Sequence, residues 1–175
     1  MLGDTQMRKQ TLLIVDDETS FLNSVSRTLR LEPYRLLTAD NGHGALQLVK
    51  NNEINVVVCD YRMPGMDGLT LLKRVRLEQP HVILIMLTAV SDVHVAIEAI
   101  NELGIFKFLL KPIQVASFKQ TIKRAMEASE TNQVQRSNQD LLRPRDIVLH
   151  ELEKSYPGIT SIPPRDKDGY FIIGS

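Results

Sequence analysis

Short apolar runs alternate with longer amphipathic stretches between Thr11 and about Ser129. Several of the runs contain almost no polar residue, which is typical of strands that are covered on both faces of a parallel sheet. The pattern therefore predicts five strands, of which the second has the weakest apolar character. These strands are predicted at residues 12–15, 34–39, 54–59, 82–87 and 106–110.

The stretches between the runs predict helices. Their apolar residues recur at a spacing of about 3.6, which places them on one helix face. The clearest stripes are Phe21, Leu22, Val25 and Leu29, then Leu69, Leu72 and Val75, then Val93, Ile97 and Ile100, and finally Phe118, Ile122 and Met126 in a helix from Val115 to about Ser129. Strand followed by helix, five times over, predicts an α/β fold with a doubly wound, five-stranded parallel sheet, for which the common strand order is 2-1-3-4-5.

The last part of the chain has a different character. Residues 130–143 are mostly polar and predict a linker or an extension of the preceding helix. Pro144 suits the first turn of a small amphipathic helix that ends at Pro157-Gly158, and Asp168-Gly169 favours the turn of a β-hairpin. The predicted divisions are a tail at 1–10, a domain at 11–129, the segment 130–143 and an extension at 144–175.

Composition narrows the classes of function. The 175 residues include 21 basic and 21 acidic side chains, so no charge excess directs the chain to nucleic acid or to an anionic membrane. The hydrophobic share of 43% argues against a disordered or collagen-like chain. The single cysteine, Cys59, cannot form an internal disulfide, which favours a reducing, cytoplasmic compartment. The polar start is unlike a signal peptide, and no apolar run is long enough to span a bilayer.

Polar side chains follow four of the predicted strands at the point where each strand ends. These residues are Asp16 and Asp17 after the first strand, Asp60 after the third, Thr88 after the fourth and Lys111 after the fifth. The carboxyl ends of parallel strands meet at one edge, and strands 1 and 3 are neighbours in the common order. The three carboxylates are therefore expected to converge there, with the hydroxyl and the ammonium approaching from the far side.

Three converging carboxylates repel one another. At about 5 Å and an effective dielectric of about 20, each pair repels by roughly 3 kcal/mol. Either one carboxyl takes up a proton, or a hard cation such as Mg²⁺ binds. The ammonium of Lys111 favours cation binding, because a lysine beside metal-bound carboxylates indicates that a further anion binds there. A phosphoryl group on Asp60 would be that anion. The residues thus predict attack by Asp60 on a phosphoryl donor, giving an acyl phosphate.

The same residues carry a resemblance to a known family. The matching segments are Leu13-Ile14-Val15-Asp16-Asp17-Glu18, Val56 to Gly68 around Asp60, Leu87-Thr88-Ala89 and Lys111-Pro112. In this order, at the ends of predicted strands, they resemble the receiver domain of a two-component response regulator of the chemotaxis type. The resemblance covers about Thr11 to Ser129 and implies a flavodoxin-like (βα)5 fold.

The resemblance implies a role for each site residue. Asp60 would be the phosphoacceptor, and Thr88 and Lys111 would contact its phosphoryl group. The implied ligands of Mg²⁺ are Asp17, Asp60, the backbone carbonyl of Arg62 and Asp16, the last either directly or through water. The domain would then be a signalling switch rather than an enzyme, because it promotes only its own phosphorylation and dephosphorylation.

Phe108 stands at the position of the family's aromatic switch. In the family this side chain moves inward when the hydroxyl, here that of Thr88, is drawn to the phosphoryl group, and the face around helix 4, strand 5 and helix 5 then engages a partner. The Lys111-Pro112 bond is expected to be cis, as is usual in the family. The implied partners are a sensor histidine kinase or a histidine phosphotransfer protein, a downstream protein target and a second copy of the chain.

Simpler explanations exist for several of these residues. Asp16 and Asp17 precede a helix, so they also suit its N-cap and first turn. Asp67 is expected to cap the third helix rather than to bind a metal. Cys59 is expected to be a small core residue, and the four histidines are isolated and lack the spacing of metal ligands.

Two other functions fit part of the pattern. A Mg²⁺-dependent phosphatase of the haloacid dehalogenase type also forms an aspartyl phosphate, but its Asp-x-Asp signature is missing, since Arg62 stands two residues after Asp60. The other is the receiver portion of a DNA-binding transcriptional regulator. Residues 130–175 are short for such an output domain and hold six basic and seven acidic residues, which argues against direct DNA binding. The sequence favours a receiver with a short protein-binding tail.

Overall fold

Five parallel strands form a sheet in the computed structural model of the protein, which describes residues 9–89 and 103–135. The strands are β1 (Thr11–Val15), β2 (Arg35–Ala39), β3 (Val56–Asp60), β4 (Ile83–Thr88) and β5 (Lys107–Leu110). Their order across the sheet is β2-β1-β3-β4-β5, and every neighbouring pair is parallel. The fold class and the strand order predicted from the sequence are confirmed.

Four strands begin one or two residues after the apolar runs that predicted them. Strand β3 begins at Val56 and β4 at Ile83, although Ile54 and Val82 are already buried. The hydrophobic core therefore extends past the paired strands at their amino-terminal edge. Apolar character reports burial and not strand pairing, so an apolar run can begin before the strand does.

Four helices lie within the described residues: α1 (Thr19–Leu29), α2 (Gly42–Asn51), α3 (Gly68–Glu78) and α4 (Val115–Gln135). Helix α4 corresponds to the fifth helix predicted from the sequence. The helix predicted around Val93, Ile97 and Ile100 lies outside the described residues. Across those described ranges, no helix has both the length and the apolar character needed to cross a membrane.

The helices cover both faces of the sheet. Helices α2 and α3 pack on one face, where their buried residues are Ala45, Val49, Leu71, Leu72 and Val75. Helices α1 and α4 pack on the other face, where their buried residues are Leu22, Val25, Leu29, Phe118, Ile122, Ala125 and Met126. Every residue of the central strands β1 and β3 is buried, which explains why their sequences lack polar alternation.

Helix α4 continues past Ser129 to Gln135. For residues 130–143 the sequence left a linker and an extension of the preceding helix open, and the described part of this segment, 130–135, is helical. Ser129 is still buried, but Glu130 and Thr131 are exposed. No proline or glycine interrupts residues 130–135, so the backbone can continue the helix through this segment. The predicted small helix and hairpin of 144–175 lie outside the described residues, as do residues 1–8.

Polar contacts at the amino-terminal edge of the sheet hold α4 in place. The side chain of Asn55 accepts from the backbone N–H of Thr11 at 2.7 Å and donates to the hydroxyl of Ser129 at 3.4 Å. Gln10 donates to the carbonyl of Met126 at 3.0 Å. Asn55 thus interrupts an apolar run because it bonds β1 to the helix at this edge.

Candidate functional site

Three aspartates meet at the carboxyl-terminal edge of the sheet. Asp16 directly follows β1 and Asp60 ends β3, and these two strands pair with Val15 opposite Cys59. One carboxylate oxygen each from Asp16, Asp17 and Asp60 lies within 4.8 Å of the others. Asp16 and Asp60 are buried and Asp17 is exposed, so the cluster is open to solvent on one side.

Lys111 contacts two of these carboxylates. It follows the edge strand β5, and its backbone N–H donates to the Thr88 carbonyl at 2.9 Å. Its Nζ lies 2.8 Å from Asp16 Oδ2 and 3.0 Å from Asp60 Oδ1. The long aliphatic stem lets the ammonium reach from the edge strand to the end of β1, where it compensates one of the three negative charges.

Burial dominates the electrostatics of the site. Burial raises the pKa of the Asp60 carboxyl, the contact with Lys111 opposes this change, and the charges of Asp16 and Asp17 add to it. Burial by itself lowers the pKa of Lys111, but the hydrogen bonds to Asp16 and Asp60 outweigh this effect, so its pKa is raised. Lys111 therefore stays charged near neutral pH.

Thr88 and Phe108 lie on the same face of the sheet. Thr88 pairs with Leu110 across β4 and β5, and Met86 pairs with Phe108 two residues earlier. Because side chains alternate along a strand, Thr88, Met86 and Phe108 point to one face. Thr88 is buried and its hydroxyl donates to the Ala89 carbonyl at 3.3 Å, whereas Phe108 is half-buried against the core under α2 and α3.

The helix-cap explanation of Asp16 and Asp17 is wrong. The N-cap of α1 is Glu18, and no side chain caps this helix end. Asp16 instead accepts from the N–H of Glu18 at 2.9 Å with one oxygen and contacts Lys111 with the other. Because Asp16 is buried where β1 ends, its carboxylate faces the site before the helix begins.

Asp67 caps α3, as predicted. One of its oxygens accepts from the N–H of Thr70 at 2.7 Å, and the other accepts from the Thr70 hydroxyl at 3.1 Å. Both carboxylate oxygens therefore serve the start of the helix. Asp67 is not a member of the cluster formed by the other three aspartates.

Close backbone packing holds the loop between β3 and α3. The N–H of Gly68 donates to the Tyr61 carbonyl at 2.8 Å, and a Cβ at Gly68 would overlap the backbone carbonyl of Asp60. Gly65 adopts a φ of 79°, a conformation that favours glycine. The loop therefore returns directly to the strand end that carries Asp60.

An open cavity of about 560 Å³ lies beside the exposed carboxylate of Asp17. It gives ions and solvent access to the aspartate cluster. Arg62, the predicted backbone ligand, is exposed in its wall. The lining residues are Asp17, Tyr61, Arg62, Met63, Pro64 and Asp67.

Other expectations about single residues are confirmed. The Lys111–Pro112 bond is cis. Cys59 is fully buried in the core, and burial raises the pKa of its thiol, so the thiol stays protonated. Two of the histidines, His43 and His81, are exposed. His94 and His150 lie outside the described residues.

One contact of the site was not predicted. Phe21 was expected only as part of the apolar stripe of the first helix, but the Lys111 Nζ lies over its ring at 5.5 Å from the centroid. Phe21 is in the first turn of α1, four residues after Asp17. A residue in the first turn of α1 lies close to the carboxyl-terminal edge of the sheet. The short distance in sequence between Asp17 and Phe21 therefore indicated that this ring lies near the site.

Comparison with known proteins agrees with the geometry. The sequence profile of the response regulator receiver domain matches residues 12–123. The hydrogenase transcriptional regulatory protein HoxA of Cupriavidus necator is 36% identical over 121 residues, which are 69% of this chain and 25% of HoxA. The transcriptional regulatory protein GlrR of Escherichia coli is 31% identical over 144 residues, which are 82% of this chain and 32% of GlrR. The chain spans about a quarter to a third of the length of these relatives.

A solved structure shares the fold over nearly its whole length. It is the signal receiver domain of an HD domain-containing protein from Pseudomonas fluorescens Pf-5, with a TM-score of 0.68 and 31% identity. The match covers 71% of this chain and 99% of that one. Since profile, relatives and strand order agree, the chain belongs to the response regulator receiver domain family, whose members are signalling domains.

Proposed function

We propose that the protein is a phospho-accepting response regulator in which Asp60 is the phosphoacceptor. The observation that carries this proposal is the 3.0 Å contact between the buried Asp60 carboxylate and the Lys111 ammonium, beside two further carboxylates. The ion pair favours the ionised form of Asp60 against the effect of burial. Because the ionised carboxylate is the form that attacks phosphorus, this contact prepares Asp60 to act as a nucleophile.

The proposed reaction is phosphoryl transfer to Asp60. A carboxylate oxygen forms the new bond to phosphorus while the phosphorus–nitrogen bond of a phosphohistidine breaks, and the electron pair of that bond stays on the imidazole nitrogen. Negative charge is spread over the equatorial oxygens in the transition state. Lys111 would neutralise one of these oxygens, and the buried hydroxyl of Thr88 would donate to another.

The aspartate cluster fits Mg²⁺. Three carboxylates against one ammonium leave an excess of two negative charges, which a divalent cation balances. The proposed ligands are Asp16, Asp17, Asp60 and the backbone carbonyl of Arg62, all oxygen donors of the kind that Mg²⁺ prefers. When bound, Mg²⁺ supplies charge neutralisation at the phosphoryl oxygens.

The proposed switch consists of Thr88 and Phe108. The phosphoryl group would draw the Thr88 hydroxyl from its present 3.3 Å contact with the Ala89 carbonyl. Phe108 lies on the same face of the sheet and is only half-buried, and it would turn inward once Thr88 has moved. The surface around β5 and α4 would then change and engage a partner, as expected of a two-state element biased by a local charge.

The proposed function requires both a phosphoryl donor and a partner that recognises the phosphorylated form. The phosphoryl donor would be a sensor histidine kinase or a histidine phosphotransfer protein, and the readout would be a downstream protein target or a homodimer. The domain would promote only its own phosphorylation and dephosphorylation. A cytoplasmic location is part of the proposal, because the one cysteine is a reduced, buried core residue.

Labelling with phosphoramidate tests the proposal without a kinase. In the presence of Mg²⁺, the wild-type chain is expected to gain one phosphoryl group, seen as a shifted band on a phosphate-affinity gel. EDTA is expected to prevent the shift, because the carboxylates then repel the incoming anion. Labelling that does not depend on Mg²⁺ would contradict the assigned metal, and a wild type that stays unlabelled would contradict the phosphoacceptor.

The relatives favour a second candidate function, the receiver part of a DNA-binding transcriptional regulator. HoxA and GlrR are transcriptional regulatory proteins by name, and the chain spans only 25% and 32% of them. This candidate keeps the same phosphoacceptor and adds a different output. Binding of the phosphorylated chain to duplex DNA at low ionic strength would support it, and binding that is lost as salt rises would identify phosphate contacts.

For residues 144–175 we propose a protein-binding role, following a receiver domain at 11–129 and a helix extension within 130–143. Deletion of Arg143 to Ser175 is expected to leave phosphorylation intact, because the site residues lie between Asp16 and Lys111. The deletion is expected to abolish dimerisation or target binding, measured by light scattering with Mg²⁺ and beryllofluoride and by pull-down of the identified target. Unchanged association of the truncated chain would contradict this role.

A further inference from the structure

The ring of Phe21 lies against the ammonium of Lys111. The Nζ atom is 5.5 Å from the ring centroid, while the same atom lies 2.8 Å from Asp16 Oδ2 and 3.0 Å from Asp60 Oδ1. The ammonium therefore has two carboxylates and an aromatic face as neighbours. The Lys111 side chain is 30% exposed, so solvent reaches it only in part.

Phe21 is itself held by the packing of α1 against α4. Its ring meets the ring of Phe118 edge to face, with centroids 6.3 Å apart and an interplanar angle of 67°. Phe118 is only 2% exposed and belongs to the core between the sheet and these two helices. The orientation of the Phe21 face is thus set by buried contacts with a second helix.

This arrangement restricts the most flexible member of the site. Lysine carries a point charge on a stem with many rotamers, and its position must be held by contacts. An aromatic face attracts an ammonium within about 6 Å of its centroid. When Asp60 carries a phosphoryl group, Lys111 must exchange its contact with the Asp60 carboxylate for one with a phosphoryl oxygen. The contacts with Asp16 and Phe21 do not involve the reacting atoms and remain available throughout.

We propose that Phe21 is a positioning residue for phosphoryl transfer. Its ring face, held by Phe118, keeps the ammonium of Lys111 beside the Asp60 carboxylate, where the phosphoryl group arrives. This inference rests on the proposed function, because it assigns Phe21 a part in phosphoryl recognition at Asp60. It also makes the packing of α4 on α1 a determinant of the geometry of the site.

Replacement of Phe21 in the full chain by mono-, di- and trifluorophenylalanine separates the aromatic face from simple packing. Fluorine withdraws electron density from the ring face and changes the ring's shape very little. The rate of labelling by phosphoramidate with Mg²⁺ is expected to fall step by step along the series, by about three- to tenfold at the end. Phe21→Leu is expected to show a similar loss, and Phe21→Tyr, which keeps the face, a rate near that of the wild type. Thermal unfolding confirms that each variant is folded at the assay temperature.

The outcomes distinguish this inference from the function on which it rests. A graded loss along the fluorinated series, with recovery in Phe21→Tyr, supports the positioning role. Rates that do not change along the series overturn it, even if Phe21→Leu is slow, because that pattern means packing alone. If the wild type is itself not labelled, the proposed function fails and the inference fails with it.

Discussion

Asp60→Asn is expected to abolish phosphoryl incorporation from both phosphoramidate and a phosphohistidine donor. The amide has nearly the shape of the carboxylate but is neutral, so it lacks the anionic oxygen that would attack phosphorus. Labelling at the level of the background without protein is the expected result on a phosphate-affinity gel. Labelling of this variant at the wild-type rate would overturn the assignment of Asp60.

The fold of Asp60→Asn is expected to remain intact. Burial raises the pKa of Asp60 in the folded protein, so the ionised carboxylate costs folding free energy at pH values above that pKa. A neutral amide does not have this cost, and the thermal midpoint near neutral pH is expected at or above that of the wild type. If Asp60→Asn is stable but is not labelled, the loss of labelling therefore results from the missing carboxylate and not from unfolding.

Asp67→Asn is the matched control. Asp67 is exposed, lies in the same loop region and accepts two hydrogen bonds from Thr70. Asparagine is an equally good N-cap residue. This variant makes the same chemical change seven residues away, and its labelling is expected to equal that of the wild type.

Gly68→Ala is expected to lower the free energy of unfolding by about 3 kcal/mol, the upper range for overpacking a close contact. The added Cβ would overlap the Asp60 carbonyl oxygen and would lie 2.9 Å from both the carbonyl carbon of Asp60 and the Cα of Tyr61. These are backbone atoms at a strand end, so they cannot move aside as a flexible side chain would. Urea unfolding of the two proteins measures the difference.

The displaced start of α3 is also expected to weaken labelling, because the loop after Asp60 must shift with it. Gly44→Ala is the control, since its Cβ would meet only the Asn41 side chain at an ordinary 3.5 Å. Alanine in the first turn of α2 is expected to leave the stability unchanged or to raise it slightly. A Gly68→Ala protein as stable as Gly44→Ala would show that the contact at the end of β3 can relax.

The sequence was sufficient to predict the aspartate cluster because each of its members stands at the end of a strand or within two residues after it. Asp16 and Asp60 end neighbouring parallel strands, so topology alone brings them together. Lys111 was expected at the far side, and it reaches Asp16 and Asp60 directly. The N-cap alternative for Asp16 is wrong because Asp16 is buried at the end of β1, two residues before the N-cap Glu18. Its carboxylate therefore points into the site.

Contacts between side chains of distant elements were less predictable. The contacts of Phe21 with Phe118 and with Lys111 join α1 to α4 and to the end of β5. Apolar periodicity reports only that the two aromatic residues lie on the inner faces of their helices. The bond between Asn55 and Ser129 likewise joins residues 74 positions apart. The spacing of apolar residues predicts the type of each helix or strand, whereas such contacts depend on how the helices and strands pack against one another.

The sequence left the end of α4 open for a related reason. Ser129 is buried while Glu130 and Thr131 are exposed, and the polar residues after Ser129 fit either a linker or an extension of the helix. The backbone needs no burial to continue for another turn and a half through residues without proline or glycine. The helix therefore reaches Gln135.

Identification of the phosphorylated residue decides whether Asp60 is the phosphoacceptor. The full chain would receive a phosphoryl group from a phosphohistidine donor with Mg²⁺, and borohydride reduction would convert any acyl phosphate to an alcohol that peptide mass spectrometry locates. The reduced side chain is expected at Asp60 alone, and at no residue when Mg²⁺ is removed. Reduction at Asp16, Asp17 or Asp67 instead, or a phosphoryl group on a residue that borohydride does not reduce, would contradict the assignment of Asp60.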